Sequence, residues 1–124
     1  MKKTEFKENL YHLLDINIEN MSFDEKIFFI KNCLTDYLVN ADEARITKNR
    51  GETWRDEEIA LILSYPATKE NCLKFAQVFD RGYGSIEQIY RWASTPKNKL
   101  SEERINDKFI QQIYRVKKNL GLRN

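Results

Sequence analysis

Apolar residues return every three or four positions along most of the chain and nowhere alternate with polar ones over a useful length, so the pattern predicts helices and no strands. The first helix runs from a Thr4 cap to about Asp15, with Phe6, Leu10, Leu13 and Leu14 on one stripe. Asn17 to Met21 breaks the pattern. Ser22 and Glu25 then form a capping box that opens a longer helix, SFDEKIFFIKNCLTDYLVNADEARI. Ile27, Phe28, Phe29 and Ile30 are apolar nearly all round. That turn should therefore be covered on several sides, by the first helix and by either the C-terminal half or a second subunit. Lys48 to Gly51 is a polar, basic junction, where a module boundary is expected.

Thr53 is the expected cap of a third helix, with Asp56, Glu57 and Glu58 in its first turn and Ile59, Ile62, Leu63 and Trp54 on its apolar side. Pro66 ends it by excluding Tyr65 from helical geometry. Thr68 starts a fourth helix, in which Cys72, Leu73, Phe75, Ala76 and Phe79 repeat at three and four. Gly82 and Gly84 permit the positive backbone angles of a reversal. Ser85 with Gln88 makes a second capping box for a fifth helix containing Ile86, Ile89, Tyr90, Trp92 and Ala93. Thr95-Pro96 stops it. After a basic KNK loop, Ser101 caps a sixth helix whose stripe of Ile105, Phe109, Ile110, Ile113, Val116 and Leu120 lasts until Gly121, a C-cap.

The expected fold class is all-α. Residues 1–50 form an N-terminal helical pair for packing or dimerisation, 51–95 a three-helix unit, and 96–124 a basic loop with a C-terminal amphipathic helix. At 124 residues the chain suits one domain, or a small domain with a helical extension.

Net charge is only +2, which does not describe a polycationic coat for nucleic acid. Its distribution is uneven. Residues 1–50 hold eight Lys/Arg against nine Asp/Glu, and residues 81–124 hold ten against four. Lys108, Arg115, Lys117, Lys118 and Arg123 follow the last acid, Asp107; they suit either a solvated helix face or phosphate. Cys33 and Cys72 lie inside helical patterns with no CxxC and no second His, and read as buried, reduced thiols of a cytoplasmic protein. No segment resembles a signal peptide or a run of apolar residues that spans a bilayer.

Catalytic chemistry finds no support in the residues. His12, the only histidine, sits beside leucines, and no GxSxG, P-loop or HExxH occurs. Asp42 and Glu43 are adjacent on a helix and point apart, and helix-start electrostatics explain Asp56 to Glu58. The expectation is no enzyme, no cofactor and no metal.

A helix-turn-helix needs a small residue where its helices cross, and Ala76 stands ten positions before Ile86 and thirteen before Ile89, a spacing that many such units share. The turn position usually held by Gly is Asp80, with glycines slightly later, so a longer turn is expected. With TWRDEE at its start, KFAQVFDRG in its middle and SIEQIYRWA at its end, this stretch resembles the Myb/SANT group of homeodomain-like units, in a divergent bacterial or phage form. The resemblance covers about a third of the chain. The family's middle tryptophan is absent, its place being taken by Cys72, Leu73 or Phe75.

The resemblance implies that the fifth helix, over 86–94, reads the major groove of DNA. Ser85, Glu87, Gln88 and Arg91 then face outward. Ser85, Gln88 and Arg91 are the candidate base contacts, since Gln and Arg offer paired groups that match adenine and guanine edges. Glu87 would repel phosphate. Arg81, Tyr83, Lys97 and Lys99 are the candidate phosphate contacts; surface solubility explains the lysines equally well, and Arg81 has Asp80 or Glu87 as an alternative partner. Trp54 and Trp92 are read as core residues.

Two functions follow. One is a small DNA-binding regulator or accessory factor, binding double-stranded DNA and homodimerising through the N-terminal helices. The other is a protein-binding adaptor, such as a phage-encoded inhibitor of a host nucleic-acid machine. Charge placement discriminates them: DNA binding predicts Arg81, Arg91, Lys97, Lys99 and the basic C-terminal helix on one surface around the fifth helix, whereas an adaptor predicts an exposed apolar or acidic patch instead.

Overall fold

The computed structural model describes residues 1–122, which are helical with no strand among them. Two compact units divide within one helix, the first ending at Leu34 and the second starting at Thr35.

The first unit holds α1 (Lys3–Leu14) and the opening turns of α2 (Phe23–Asp42). The Ser22–Glu25 box forms as expected: the Glu25 amide donates to the Ser22 hydroxyl at 3.2 Å and the Ser22 amide to Glu25 Oε1 at 3.4 Å. Thr4 does not cap α1, which starts after Lys2 with no side-chain bond. Lys26 fixes the return of the chain, its ammonium donating to the carbonyls of Leu14 and Ile16. No residue of α1 is buried, and Lys26 is the buried residue of α2. In the Ile27–Ile30 turn Ile27 and Ile30 are half-buried, while Phe28 is 68% exposed. Cys33 is exposed rather than buried, on the helix whose buried residue is Lys26, whereas Cys72 is buried as expected.

The second unit contains the end of α2, then α3 (Asp56–Leu63), α4 (Lys69–Val78), α5 (Tyr83–Ser94), a single 3-10 turn (Lys97–Lys99), α6 (Glu102–Ile105) and α7 (Lys108–Asn119). The expected junction at 48–51 falls inside this unit. Arg45 accounts for this. Its guanidinium meets Asp42 at 2.8 Å and Asp80 at 2.9 Å and donates to the carbonyls of Ala76 and Arg81, tying the segment after α2 to the end of α4. Lys69 meets Asp36 at 2.7 Å, a second tie.

Ile59, Ile62, Ile86, Ile89 and Ile113 are fully buried together with Trp54, Cys72 and Ala76. The three-helix arrangement of α3, α4 and α5 is closed by α7, which packs on both α3 and α5. Burying an isoleucine of this kind contributes on the order of 2 kcal/mol each. Trp54 packs edge-on against Phe79 at 5.6 Å, as expected of a core residue, while Trp92 is half-buried beneath the Arg104 guanidinium at 4.8 Å.

Cap chemistry decides the helix ends. Thr68 and Ser101 accept from Asn71 and Arg104 as expected. Thr53 does not cap α3; the chain enters through Arg55, whose amide donates to Glu58 Oε1 at 2.8 Å. The expected sixth helix is two helices, broken at Asn106, because the Asp107 carboxylate accepts from the Ile110 amide and caps a new start. Gly121, at φ +76°, closes α7 as expected: its amide donates to Lys118 and the Leu122 amide to Lys117.

Candidate nucleic-acid interface

The turn between α4 and α5 is four residues long, Phe79 to Gly82, and no extra length is inserted. Its left-handed residue is Asp80, at φ +53°. The Asp80 amide donates to Gln77 and the Arg81 amide to Ala76, the paired bonds that usually end on a glycine. Gly82 has an ordinary negative φ of −70° and Gly84 lies inside α5, so neither makes the reversal. Aspartate tolerates this region better than most residues, since its short polar side chain bonds locally. Here the bond comes from Arg45, which also satisfies the Asp42 carboxylate. Asp42 raises the pKa of the Arg45 guanidinium, first by hydrogen bonding and then by charge; Asp80 adds to it and burial opposes.

With the turn made at Asp80, α5 begins at Tyr83, earlier than the Ser85 cap expected from sequence. Ser85 is consequently half-buried inside the first turn. Ile86, Ile89 and Ala93 face the core, and the Tyr90 hydroxyl donates to the Ile62 carbonyl at 2.7 Å, fixing α5 on the end of α3. Ala76 is fully buried between the helices, the small crossing residue that the spacing predicted. Gln88 and Arg91 stand exposed on the opposite face with Gly84 and Glu87.

Arg81 corrects an expectation. It is 5% exposed, its guanidinium lies 3.7 Å from the centre of the Trp54 ring, and it donates to the carbonyls of Glu52 and Thr53. A cation so enclosed cannot meet a phosphate, and it pairs with neither Asp80 nor Glu87. Its Nε is buried without a hydrogen-bond partner. Burial lowers its pKa, opposed by the charges of Glu58 and Glu52. Its place is structural: it holds the chain before α3 against the turn.

Tyr83 is half-buried beside a shallow groove of about 750 Å³ that runs along one flank of α5, where Lys69, Cys72, Glu87, Tyr90 and Arg91 also line the walls. Burial pushes the Tyr83 and Tyr90 hydroxyls up to about 12 and the Cys72 thiol to about 11. The Glu87 charge is felt by Lys69, Cys72 and Tyr83, which places that carboxylate toward α4.

Lys97 and Lys99 are exposed just beyond α5. Lys97 sits 5.5 Å from the centre of the Tyr114 ring, at a cleft of about 470 Å³ also lined by Ile105, Gln111, Arg115 and Lys118, with no acid in its wall. Leu122 borders both this cleft and the groove beside α5. Sequence reasoning missed the cleft. Its signal was the four-residue step from Tyr114 to Lys118, which puts ring and cation on one helix face.

The basic C-terminal helix is less available than its composition suggests. Lys117 is buried and its ammonium donates to the Ala93 carbonyl at the end of α5. Arg115 meets Asp56 at 2.9 Å, and Gln112 donates to the same carboxylate. Those bonds, Gln112 first, lower the Asp56 pKa. Arg123 lies outside the described residues. Arg91, Lys97, Lys99 and Lys118 remain exposed, while Asp42, Glu43, Arg45 and Arg50 give mixed charge beside Ser85. Among the described residues no three metal-ligating side chains gather, and no helix is long and apolar enough to cross a membrane.

These residues define an all-α unit in which α5 is buttressed by α3, α4 and α7 and keeps one polar face open to solvent. The chain belongs to the family described as uncharacterised protein PM1205 C-terminal domain, whose model matches residues 48–124. It is similar to the uncharacterized protein PM1205 of Pasteurella multocida strain Pm70, 62% identical over 125 residues that span 100% of both chains. No solved structure matches the chain.

Proposed function

We propose that the second unit is a small DNA-binding module that lays α5 in the major groove, as its resemblance to Myb/SANT units implies. The observation that carries this reading is the exposed Gln88 and Arg91 pair on a helix held rigidly from behind by Ile86, Ile89, Tyr90 and Ala93. Gln and Arg present forked donors and acceptors suited to adenine and guanine edges. Lys97 and Lys99 beyond the helix end, with Lys118 nearby, supply sequence-independent attraction to phosphate. Ser85 contributes less than its neighbours because it is half-buried. The protein acts as a regulator or accessory factor in the cytoplasm, and no catalytic step or cofactor is assigned to it.

Selection from a randomised duplex pool, followed by mobility shift at two salt concentrations, tests this reading. The expected result is a selected sequence bound more tightly than its scrambled form, with Arg91→Ala losing about 1–3 kcal/mol of that preference. Lys97→Ala with Lys99→Ala should lower the salt slope by about 2. Failure to enrich any sequence, together with no salt-dependent binding, would sink the proposal in favour of a protein-binding adaptor.

A further inference from the structure

Residues 1–34 form two helices without a core. Phe6, Leu10 and Leu13 repeat at four and three along α1 and are 62%, 41% and 65% exposed. Phe23, Ile27, Ile30 and Leu34 repeat at four, three and four along α2, the spacing of a bundle seam, and the two ends of that row are 71% and 58% exposed. Phe28 and Phe29 point away from this row. A helix apolar on several sides is characteristic of a bundle interior, whereas one lying on a membrane surface shows a single apolar face.

We infer that this segment is a homodimerisation unit, in which α1 and the first half of α2 from two copies of the chain enclose one another as a four-helix bundle. The available area fits that occupant. Phe6, Tyr11, Phe23, Phe28 and Phe29 are each between 46% and 71% exposed, and at about 200 Å² per ring they present roughly 600 Å². A stable interface takes about 800 Å² from each partner. Leu10, Leu13, Ile16 and Leu34, each at least 41% exposed, make up the difference.

Charge favours the same occupant. Residues 1–34 carry five Lys against six Asp/Glu, interspersed, so two copies meet without strong repulsion, and neither nucleic acid nor an anionic membrane is attracted. A single amphipathic peptide covers one stripe and leaves Phe28 or Phe29 in water. A second copy brings two helices with matching seams, and self-complementary patches of this kind close as a two-fold pair. The inference does not rest on the DNA reading. If both hold, each particle carries two α5 helices and selects a target with repeated half-sites.

Sedimentation equilibrium of the full chain tests the dimer. The expected mass is twice the 14.8 kDa of one chain. Leu13→Glu with Phe28→Glu should weaken association at least roughly 100-fold, leaving the denaturation midpoint of the second unit unchanged. Leu13→Met with Phe28→Leu should keep the dimer, a readout that survives if the glutamate pair misfolds. A wild-type mass of one chain at the highest soluble concentration overturns the inference, as does a larger assembly, or a dimer that persists in the folded glutamate variant.

Discussion

The two units are built from the same kinds of residue and end in opposite states. From Trp54 onward the isoleucines of α3, α5 and α7 are sealed from water, whereas residues 1–34 leave most of their large apolar side chains exposed and bury a lysine instead. The difference lies in what each helix has to pack against. In the second unit α7 returns to cover α3 and α5, and the isoleucines of these three helices meet in one core. In residues 1–34 Lys26 ties the start of α2 to the end of α1, and no third helix lies within the unit for the two to close on. Amphipathic spacing specifies which side wants burial, and the number of helices decides whether burial is achieved within one chain.

The sharpest way to break this contrast is to truncate comparable side chains on each side of it. Ile89→Ala, at a fully buried position, should cost about 2–5 kcal/mol of unfolding free energy through lost transfer and cavity formation. Leu13→Ala should change the unfolding of the second unit by less than about 0.5 kcal/mol. Urea titration of both variants at a concentration too low for association measures this directly, and similar losses would mean that the first unit shares the core.

Next in size is Arg45→Ala, which strands the Asp42 carboxylate, 5% exposed, and removes the brace on the left-handed Asp80. The expected cost is about 3 kcal/mol. Chemical denaturation reads it, and a loss below about 1 kcal/mol would show that Arg45 acts as a surface ion pair only.

Alkaline pH should weaken the second unit. The folded chain keeps the Cys72 proton up to about 11 and the Tyr83 and Tyr90 protons up to about 12, against ordinary values of 9.0 and 10.0. The unfolded chain therefore binds fewer protons above pH 9, and stability falls as pH rises from there toward 12. A melting temperature that stays level across that window would contradict the burial of all three groups. The smallest effect is one of rate: Cys33 should react with an aromatic disulfide reagent in the native state, while Cys72 waits for unfolding.

Much of this fold was legible in local chemistry. Ser22, Thr68, Ser101 and Gly121 act where sequence placed them, because a cap is satisfied within three or four residues of itself. Two misreadings involve distant partners. Asp80 takes the place of a turn glycine with the support of Arg45, thirty-five residues earlier, while Gly82 and Gly84 keep ordinary backbone angles. Arg81 looked like a surface cation until the chain before α3 closed over it beside Trp54. The break at Asn106 carries no Gly or Pro, and only the Asp107 to Ile110 bond reveals it. Of the candidate site, the outward set of Gln88 and Arg91 followed from helical periodicity alone, since Ile86 and Ile89 fix which side faces inward.

The proposed contact of α5 with DNA runs through this outward set. Backbone amide chemical shifts of the full chain, followed as a selected duplex is added, test it most directly. Gly84, Gln88, Arg91 and the Lys97–Lys99 turn are expected to shift together, while amides of α1 and the first half of α2 stay in place. Shifts confined to residues 1–34, or absent from α5 at saturation, would contradict it.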